Sequence, residues 1–290
     1  MLCMSNFCWN INLSYAFVEH VKKINPNIIT IFGGPNFPID EGERESFLKN
    51  HPCLDFHIKW DGEIAFVSLF RKLAEVDFDV NLFKNKKTIS ENCCYVQEEG
   101  KYVEGPDHRA NDLAALPSPY LDGIFDRFFG LNLQPWIETT RGCPYACTFC
   151  NDGHGSRNGI KRKLKHQIKK ELEYLATRAD NSVLGMSDLN FAMFKEDLDT
   201  ARTISDLIKK YDWPHQVETS MGKSQPERLT AAVDIINENK AGVIKLRSSV
   251  QSMDNEVLKL IKRKNMPIEK ILELNKAKGE NRQTEFFTEL

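Results

Sequence analysis

The stretch PWIETTRGCPYACTFC, Pro135 to Cys150, runs from a strand-like segment into three cysteines spaced C-x3-C-x2-C. Its first half is apolar and β-branched enough for a strand. Gly142 and Pro144 then shape a loop at the strand's C-terminal end, where parallel α/β sheets and barrels carry their ligands. With eight cysteines among 290 residues, random placement would produce this spacing about 0.006 times per chain. The cluster therefore calls for a chemical reason. A closed metal site takes four ligands, and electron-carrier iron–sulfur clusters are capped by four cysteines. Three thiolates at Cys143, Cys147 and Cys150 would hold three irons of a [4Fe–4S] cluster and leave the fourth open to a substrate. The competing reading is a structural zinc site completed by His154, although all four ligands would then crowd into twelve residues. Buried unligated thiols are a third.

Outward from this loop, strand-then-helix units repeat: strand PWIETT, a helix over about 163–178, strand SVLGMSD, a helix over about 195–211, strand HQVETS and a helix over about 226–239. Strand GVIKLRSSV, helices over about 255–263 and 267–278, and a strand-like TEFFTEL follow. This is the grammar of a βα barrel or an open α/β sheet. Toward the N-terminus, MLCMSNF, the periodic SYAFVEHVKKI and NIITIF closed by Gly33 and Gly34 read as a βαβ unit, with a further helix near 64–74. Pro117 and Pro119 in NDLAALPSPYLDG favour an extended connector. The expected organisation is an α/β domain over 1–80, a linker over 81–130 and a partial barrel over 131–290. Both ends start or stop abruptly on strands, so missing segments are expected there.

The composition excludes little but consistently. At 41% hydrophobic residues the chain can bury a core, and a net charge of −2 gives no global field for nucleic acid or an anionic membrane. No apolar run is long enough to span a bilayer and no secretory leader is visible, so the chain reads as cytoplasmic, without a membrane or nucleic-acid partner. In a reducing compartment, clustered cysteines point to metal or redox chemistry rather than disulfides.

RGCPYACTFC resembles the signature of the radical S-adenosylmethionine (radical SAM) superfamily, with Phe149 as the aromatic before the third cysteine. LPSPYLDGIFD, VLGMSDLNF and SSVQSMDNEVLKLIKRKN extend the likeness to the subgroup whose barrel follows a cobalamin-binding domain. The resemblance implies a partial Rossmann-like cobalamin domain ahead of a partial (β/α) radical SAM barrel. Cys143, Cys147 and Cys150 would ligate a [4Fe–4S] cluster whose open iron chelates S-adenosylmethionine, and Phe149 would pack near its adenine. By analogy with barrel loops that line the cofactor, Asp188, Glu218 and Gln251 are further candidates for S-adenosylmethionine contact. Each reads somewhat better as a polar strand-end residue that caps a helix or faces water.

In the first domain, Ser5 followed by Gly33 and Gly34 resembles the later half of a cobalamin-binding pattern, with Phe7 where the family has leucine. A hydroxyl and a glycine pair would let a nucleotide tail approach the backbone. The family's histidine-bearing D-x-H-x-x-G segment is not in this sequence; His20, His51 and His57 lack its context. WDGEIAF resembles the family's G-E-G-E stretch, but reads better as a helix start with Asp61 as cap and Glu63 in the first turn. Cys3, Cys8, Cys53, Cys93 and Cys94 lack metal spacing and read as core or incidental thiols. The implied function is cobalamin-dependent radical SAM methyl transfer to an unactivated carbon of a small-molecule substrate, with electrons from a donor such as flavodoxin or ferredoxin. The alternatives are a radical SAM enzyme that cyclises, rearranges or methylthiolates without cobalamin-borne methyl, and a non-catalytic iron–sulfur or zinc fragment.

Overall fold

The apolar run that opens the chain folds as β1 (Leu2–Ser5), and the amphipathic run after it as α1 (Ile11–Ile24), which turns Ser14 and Val18 inward. The structure, a computed structural model, describes residues 1–109, 112–155, 159–267, 269–270 and 286–289. It divides into two compact units, Met1–Asn111 and Asp112–Leu290.

In the first unit β2 (Thr30–Gly33), α2 (Glu41–Lys49), β3 (Phe56–Ile58), α3 (Gly62–Ala74) and α4 (Val80–Asn85) follow, then β4 (Cys93–Val96) and β5 (Tyr102–Glu104). The strands form one sheet in the order β1-β2-β3-β4-β5, parallel across the first three and antiparallel across the last three. Helix α3 buries Ala65, Leu69 and Leu73, one stripe at four-residue spacing, against a core that includes Ile31, Phe56, Phe83 and Tyr95. Residues 93–104, expected within a linker, extend this sheet. Cys93, Cys94 and Tyr95 are buried, so both faces of β4 are covered, while the charged residues after them form the turn into β5. Glu104 on β5 gathers Arg44 at 2.9 Å and the Lys59 ammonium. Asp61 occupies the N-cap position of α3 but makes no side-chain cap bond; it lies 3.5 Å from the Arg109 guanidinium instead, so its charge serves an ion pair.

The second unit contains β6 (Trp136–Ile137), β7 (Thr140–Arg141), β8 (Lys161–Arg162), α5 (Lys165–Ala176), β9 (Val183–Met186), α6 (Asp197–Tyr211), β10 (Gln216–Glu218), α7 (Pro226–Asn237), β11 (Leu246–Ser249), α8 (Asn255–Leu260) and β12 (Phe286–Glu289). Strands β10, β9 and β6 pair in parallel in that order; β11 pairs in parallel with β12, and β7 with β8 antiparallel. A backbone bond from Val217 N–H to the Val243 carbonyl, 2.8 Å, leads from β10 toward β11. Helix α6 buries Thr200, Ala201, Ile204, Leu207 and Ile208, the stripe expected of a 3.6-residue period, and packs with α5 and α7 over a core of Leu172, Leu184, Met186 and Phe191. The alternation expected from sequence is thus present through α8. The helix expected over 267–278 lies outside the described residues from 271 onward.

Candidate functional site

PWIETT is two short strands rather than one. Between β6 and β7 the Asp188 carboxylate, just past β9, takes the Thr139 N–H at 2.7 Å and the Thr140 N–H at 3.2 Å, and also accepts from the Thr139 hydroxyl. Backbone donors that a continuous strand would spend on a ladder are spent on this carboxylate. Asp188 is 2% exposed. Burial pushes its pKa up to about 6, against the pull of the three Thr139 and Thr140 donors. Arg141 then closes on Glu138 with two bonds, 2.9 and 2.7 Å. The chain enters the cysteine loop from a doubly fixed start.

Inside the loop, Cys150 N–H bonds to the Cys147 carbonyl at 3.1 Å and Gly153 N–H to the Cys150 carbonyl at 3.0 Å. Gly153 is needed there: a Cβ would stand 2.2 Å from the Cys147 carbonyl oxygen. Thr148 N–H reaches the Ile261 carbonyl at 3.1 Å, tying the loop to the segment after α8. Cys143 and Cys147 are buried and Cys150 is half-buried. The buried Asn190 donates an Nδ2–H to the Cys143 sulfur at 3.2 Å. Cys93 and Cys94 are buried in two separate hydrophobic clusters of the first unit, and burial pushes Cys94 up to about 12.

Cys143, Phe149 and Cys150 line a cavity of about 250 Å³ with Lys223, Arg247 and Gln251. Arg263 and Asp152 also reach it, giving three cations against one carboxylate and so a lining that favours a carboxylate-bearing ligand. Arg263 is partly engaged, with Nε 2.9 Å from Asn265 and a bond to the Ser249 carbonyl. Lys223 Nζ lies 6.0 Å over the Tyr145 ring.

Of the candidates for S-adenosylmethionine contact, Phe149 and Gln251 stand on the cavity. Asp188 faces the strand backbone as described, and Glu218 accepts from Gln134 at 3.1 Å and Gln216 at 3.0 Å. Sequence reasoning missed Asn190, Lys223, Arg247 and Arg263. Arg247, Ser249 and Gln251 all line the cavity. Their two-residue spacing in RSSVQ marks one face of a strand and its continuation, a signal legible without coordinates.

Three free thiols on one short loop, two of them lining the cavity, are a donor set that fits three irons of a cluster. Among the described residues, no group of three His, Cys, Asp or Glu side chains is placed as a single metal ion would require. A cubane offers a different iron to each cysteine, so its three ligands need not converge on a point.

In the first unit, Ser5 pairs in register with Gly33 at the carboxyl ends of β1 and β2. Ser5 is exposed, and its hydroxyl accepts from Asn10 at 2.8 Å. The glycine pair divides. A Cβ on Gly33 would meet only the Ile58 carbonyl at 3.7 Å, whereas one on Gly34 (φ +137°) would stand 2.6 Å from the Asn6 carbonyl oxygen. The bare Cα of Gly34 thus accommodates the chain itself. His57 is fully buried, its Nε2 3.1 Å from Asn6 Nδ2 and its ring stacked on Phe37 at 3.7 Å. It has no open face toward a ligand.

A mixed α/β fold with a three-cysteine loop beside a cationic cavity defines a class of cofactor-bearing proteins. Residues 137–282 match the Radical SAM superfamily, and the chain belongs to it. It is 29% identical over its whole length to the cobalamin-dependent radical SAM methyltransferase TokK of Streptomyces tokunonensis. Identity is 28%, over 93% of the chain, to the 2-(S-pantetheinyl)-carbapenam-3-carboxylate methyltransferase of Streptantibioticus cattleyicolor. The chain spans 42% and 39% of those two relatives' lengths. The solved structure of the cobalamin-dependent S-adenosylmethionine radical enzyme OxsB, with aqua-cobalamin and S-adenosylmethionine bound, superposes on 99% of the chain with a TM-score of 0.68 at 18% identity, and the match takes in 40% of OxsB. The radical S-adenosylmethionine methyltransferase TsrM from Kitasatospora setae superposes on 96% of the chain with a TM-score of 0.63 at 14% identity, covering 52% of TsrM. At these identities the superpositions show the fold. Among the described residues, no helix is long and apolar enough to cross a membrane.

Proposed function

We propose that this chain houses a radical SAM centre in a cobalamin-dependent methyltransferase. Cys143, Cys147 and Cys150 hold a [4Fe–4S] cluster, S-adenosylmethionine occupies the cavity beside them, and the first unit holds cobalamin at the carboxyl ends of β1–β3, near Ser5, Gly33 and Gly34. The observation that carries this reading is a loop of three cysteines, two of which, Cys143 and Cys150, line a cavity with three cationic groups. When bound, these groups supply reductive cleavage of S-adenosylmethionine to methionine and a 5′-deoxyadenosyl radical, and a methyl group to pass to a carbon radical.

The chain's own residues orient and enclose. Asp188 and Arg141 set the entry of the cysteine loop. Arg247 and Lys223 offer the methionine carboxylate its counter-charge, and Phe149, half exposed on the cavity wall, offers the adenine an apolar face. Gln251, at φ +65°, presents a neutral donor and acceptor pair from the loop after β11. The substrate is a small molecule that accepts a methyl group on an unactivated carbon, and the electron enters from a flavodoxin- or ferredoxin-type donor. Location in the cytoplasm follows from the oxygen sensitivity of such a cluster.

Anaerobic reconstitution tests the reading. Iron and sulfide should be incorporated, 5′-deoxyadenosine should form from S-adenosylmethionine, and methylated product should require added cobalamin. Zinc alone in the anaerobically purified protein would refute it. A second reading is favoured by a further similarity, 22% identity over 59% of the chain to the anaerobic magnesium-protoporphyrin IX monomethyl ester cyclase of Rubrivivax gelatinosus. Product formation without methyl transfer would select that ring-forming chemistry.

A further inference from the structure

Asp188 and Asn190 are two residues apart after β9 and reach the same loop. Asp188 holds the backbone at Thr139 and Thr140, and Asn190 donates its Nδ2–H to the Cys143 sulfur at 3.2 Å. Asn190 is 6% exposed and Cys143 5%. Its Oδ1 is buried without a hydrogen-bond partner. A buried amide with one end unsatisfied is costly, and an apolar side chain of the same shape would cost less. Core packing alone therefore gives no reason for asparagine here. The bond from Nδ2 does, because the sulfur it meets is one of the three in the cysteine motif.

The segment that carries Asn190 is held on both sides. Met193 N–H bonds to the Asn190 carbonyl at 3.1 Å, Phe191 N–H to the Ser220 carbonyl at 2.9 Å, and Gly222 N–H to the Phe191 carbonyl at 2.8 Å. Phe191 itself is 1% exposed. The amide is thus presented from a fixed backbone rather than a mobile loop. Unlike a histidine or thiol donor, a carboxamide keeps its N–H at every working pH.

We propose that Asn190 is a positioning residue for the cluster: its amide fixes the Cys143 sulfur and raises the reduction potential of the cluster that this sulfur ligates. This rests on the cluster reading given above. A hydrogen bond to a ligating sulfur draws off part of the thiolate's negative charge and favours the more negative, reduced state. The effect matters most where an electron must be delivered to a cluster shielded from water.

The test compares anaerobically reconstituted wild type with Asn190→Leu, close in shape but without a donor, by iron and sulfide content and by a potentiometric titration followed by electron paramagnetic resonance. Asn190→Leu should keep its cluster and show roughly a tenfold smaller reduced-to-oxidised ratio at a fixed poise, equivalent to about 59 mV more negative for a one-electron couple. A loaded variant with unchanged potential overturns the inference and leaves the cluster reading intact. A wild type that takes up no iron and sulfide overturns both. If Asn190→Leu fails to hold a cluster, wild type labelled with ¹⁵N-asparagine decides: the reduced cluster should show a weak ¹⁵N coupling by electron–nuclear double resonance, and its absence overturns the inference.

Discussion

The Asp188 carboxylate grips Thr139 at two points, with Oδ1 on the backbone N–H at 2.7 Å and Oδ2 on the hydroxyl. Burial raises its pKa to about 6, above the ordinary aspartate value. A carboxyl with a raised folded pKa is protonated more in the folded than in the unfolded chain, so its ionisation costs stability as pH rises from about 4 to about 6. Above that range the cost is constant, on the order of 3 kcal/mol. Asp188→Asn keeps an acceptor for Thr139 and removes the charge. Its stability relative to wild type should rise through this pH window in denaturant titrations and then level off; a difference independent of pH would refute the assignment. Asp188→Ala strands the Thr139 and Thr140 N–H groups and should fall below Asp188→Asn by about 1–3 kcal/mol.

Gly153 and Gly155 separate loop geometry from composition. A Cβ at Gly153 meets the Cys147 carbonyl oxygen at 2.2 Å and its nitrogen at 2.9 Å, whereas at Gly155 it meets nothing within 4 Å. Backbone cannot step aside as a side chain can, so Gly153→Ala should displace Cys147 and lower iron incorporation severalfold. Gly155→Ala should load as wild type does. Equal iron content in the two variants would show that Cys147 does not need this closure.

The site was legible in the sequence where chemistry is local, and obscured where it depends on distant partners. C-x3-C-x2-C and the repeat of strands and helices follow from spacing and period, and they appear where expected. The break between β6 and β7 could not be read from PWIETT, because its cause, Asp188, lies about fifty residues on. The expected linker over 81–130 took in β4 and β5, because the pairing of β4 with β3 joins residues more than thirty apart, which a local pattern does not carry. The cavity's cations were legible only in part: Arg247 shares a strand period with Ser249 and Gln251, while Lys223 and Arg263 come from separate connections. Gly34 was recognised as constrained, and the Asn6 carbonyl oxygen, 2.6 Å from where its Cβ would stand, lies about thirty residues back in the sequence.

That last point makes the glycine pair separable by experiment. Gly34→Ala combines a φ of +137° with a backbone clash at 2.6 Å and should destabilise the first unit by several kcal/mol, about the cost of a strained left-handed residue plus the displaced Asn6. Gly33→Ala introduces an ordinary contact at 3.7 Å and should be nearly neutral for stability. Cobalamin binding measured by absorption on the Gly33→Ala protein then probes the exposed edge without the confounding loss of fold. A neutral Gly34→Ala would remove the structural account of that residue.

His57 should give the first unit a pH dependence of the opposite sign to that of Asp188. Asn6 Oδ1 accepts from Asn36 Nδ2 at 3.1 Å, which orients the Asn6 amide so that its own Nδ2–H points at His57 Nε2, 3.1 Å away. Nε2 is therefore the acceptor, and protonating it would set donor against donor. Burial lowers the His57 pKa to about 3, with His51 adding to the fall and the Ile58 backbone opposing it. A base whose folded pKa lies below its unfolded value near 6.5 contributes full stability above 6.5 and loses it as pH falls toward 3. The loss is about 2 kcal/mol by pH 5. Denaturant titrations between pH 7.5 and 5 should show this decline in wild type. In His57→Phe, which preserves an aromatic ring over Phe37, the component should vanish, so that the gap between the two proteins narrows as the pH is lowered. A gap that stays constant across the range would mean that His57 is already protonated or solvated in the folded chain, contrary to its complete burial.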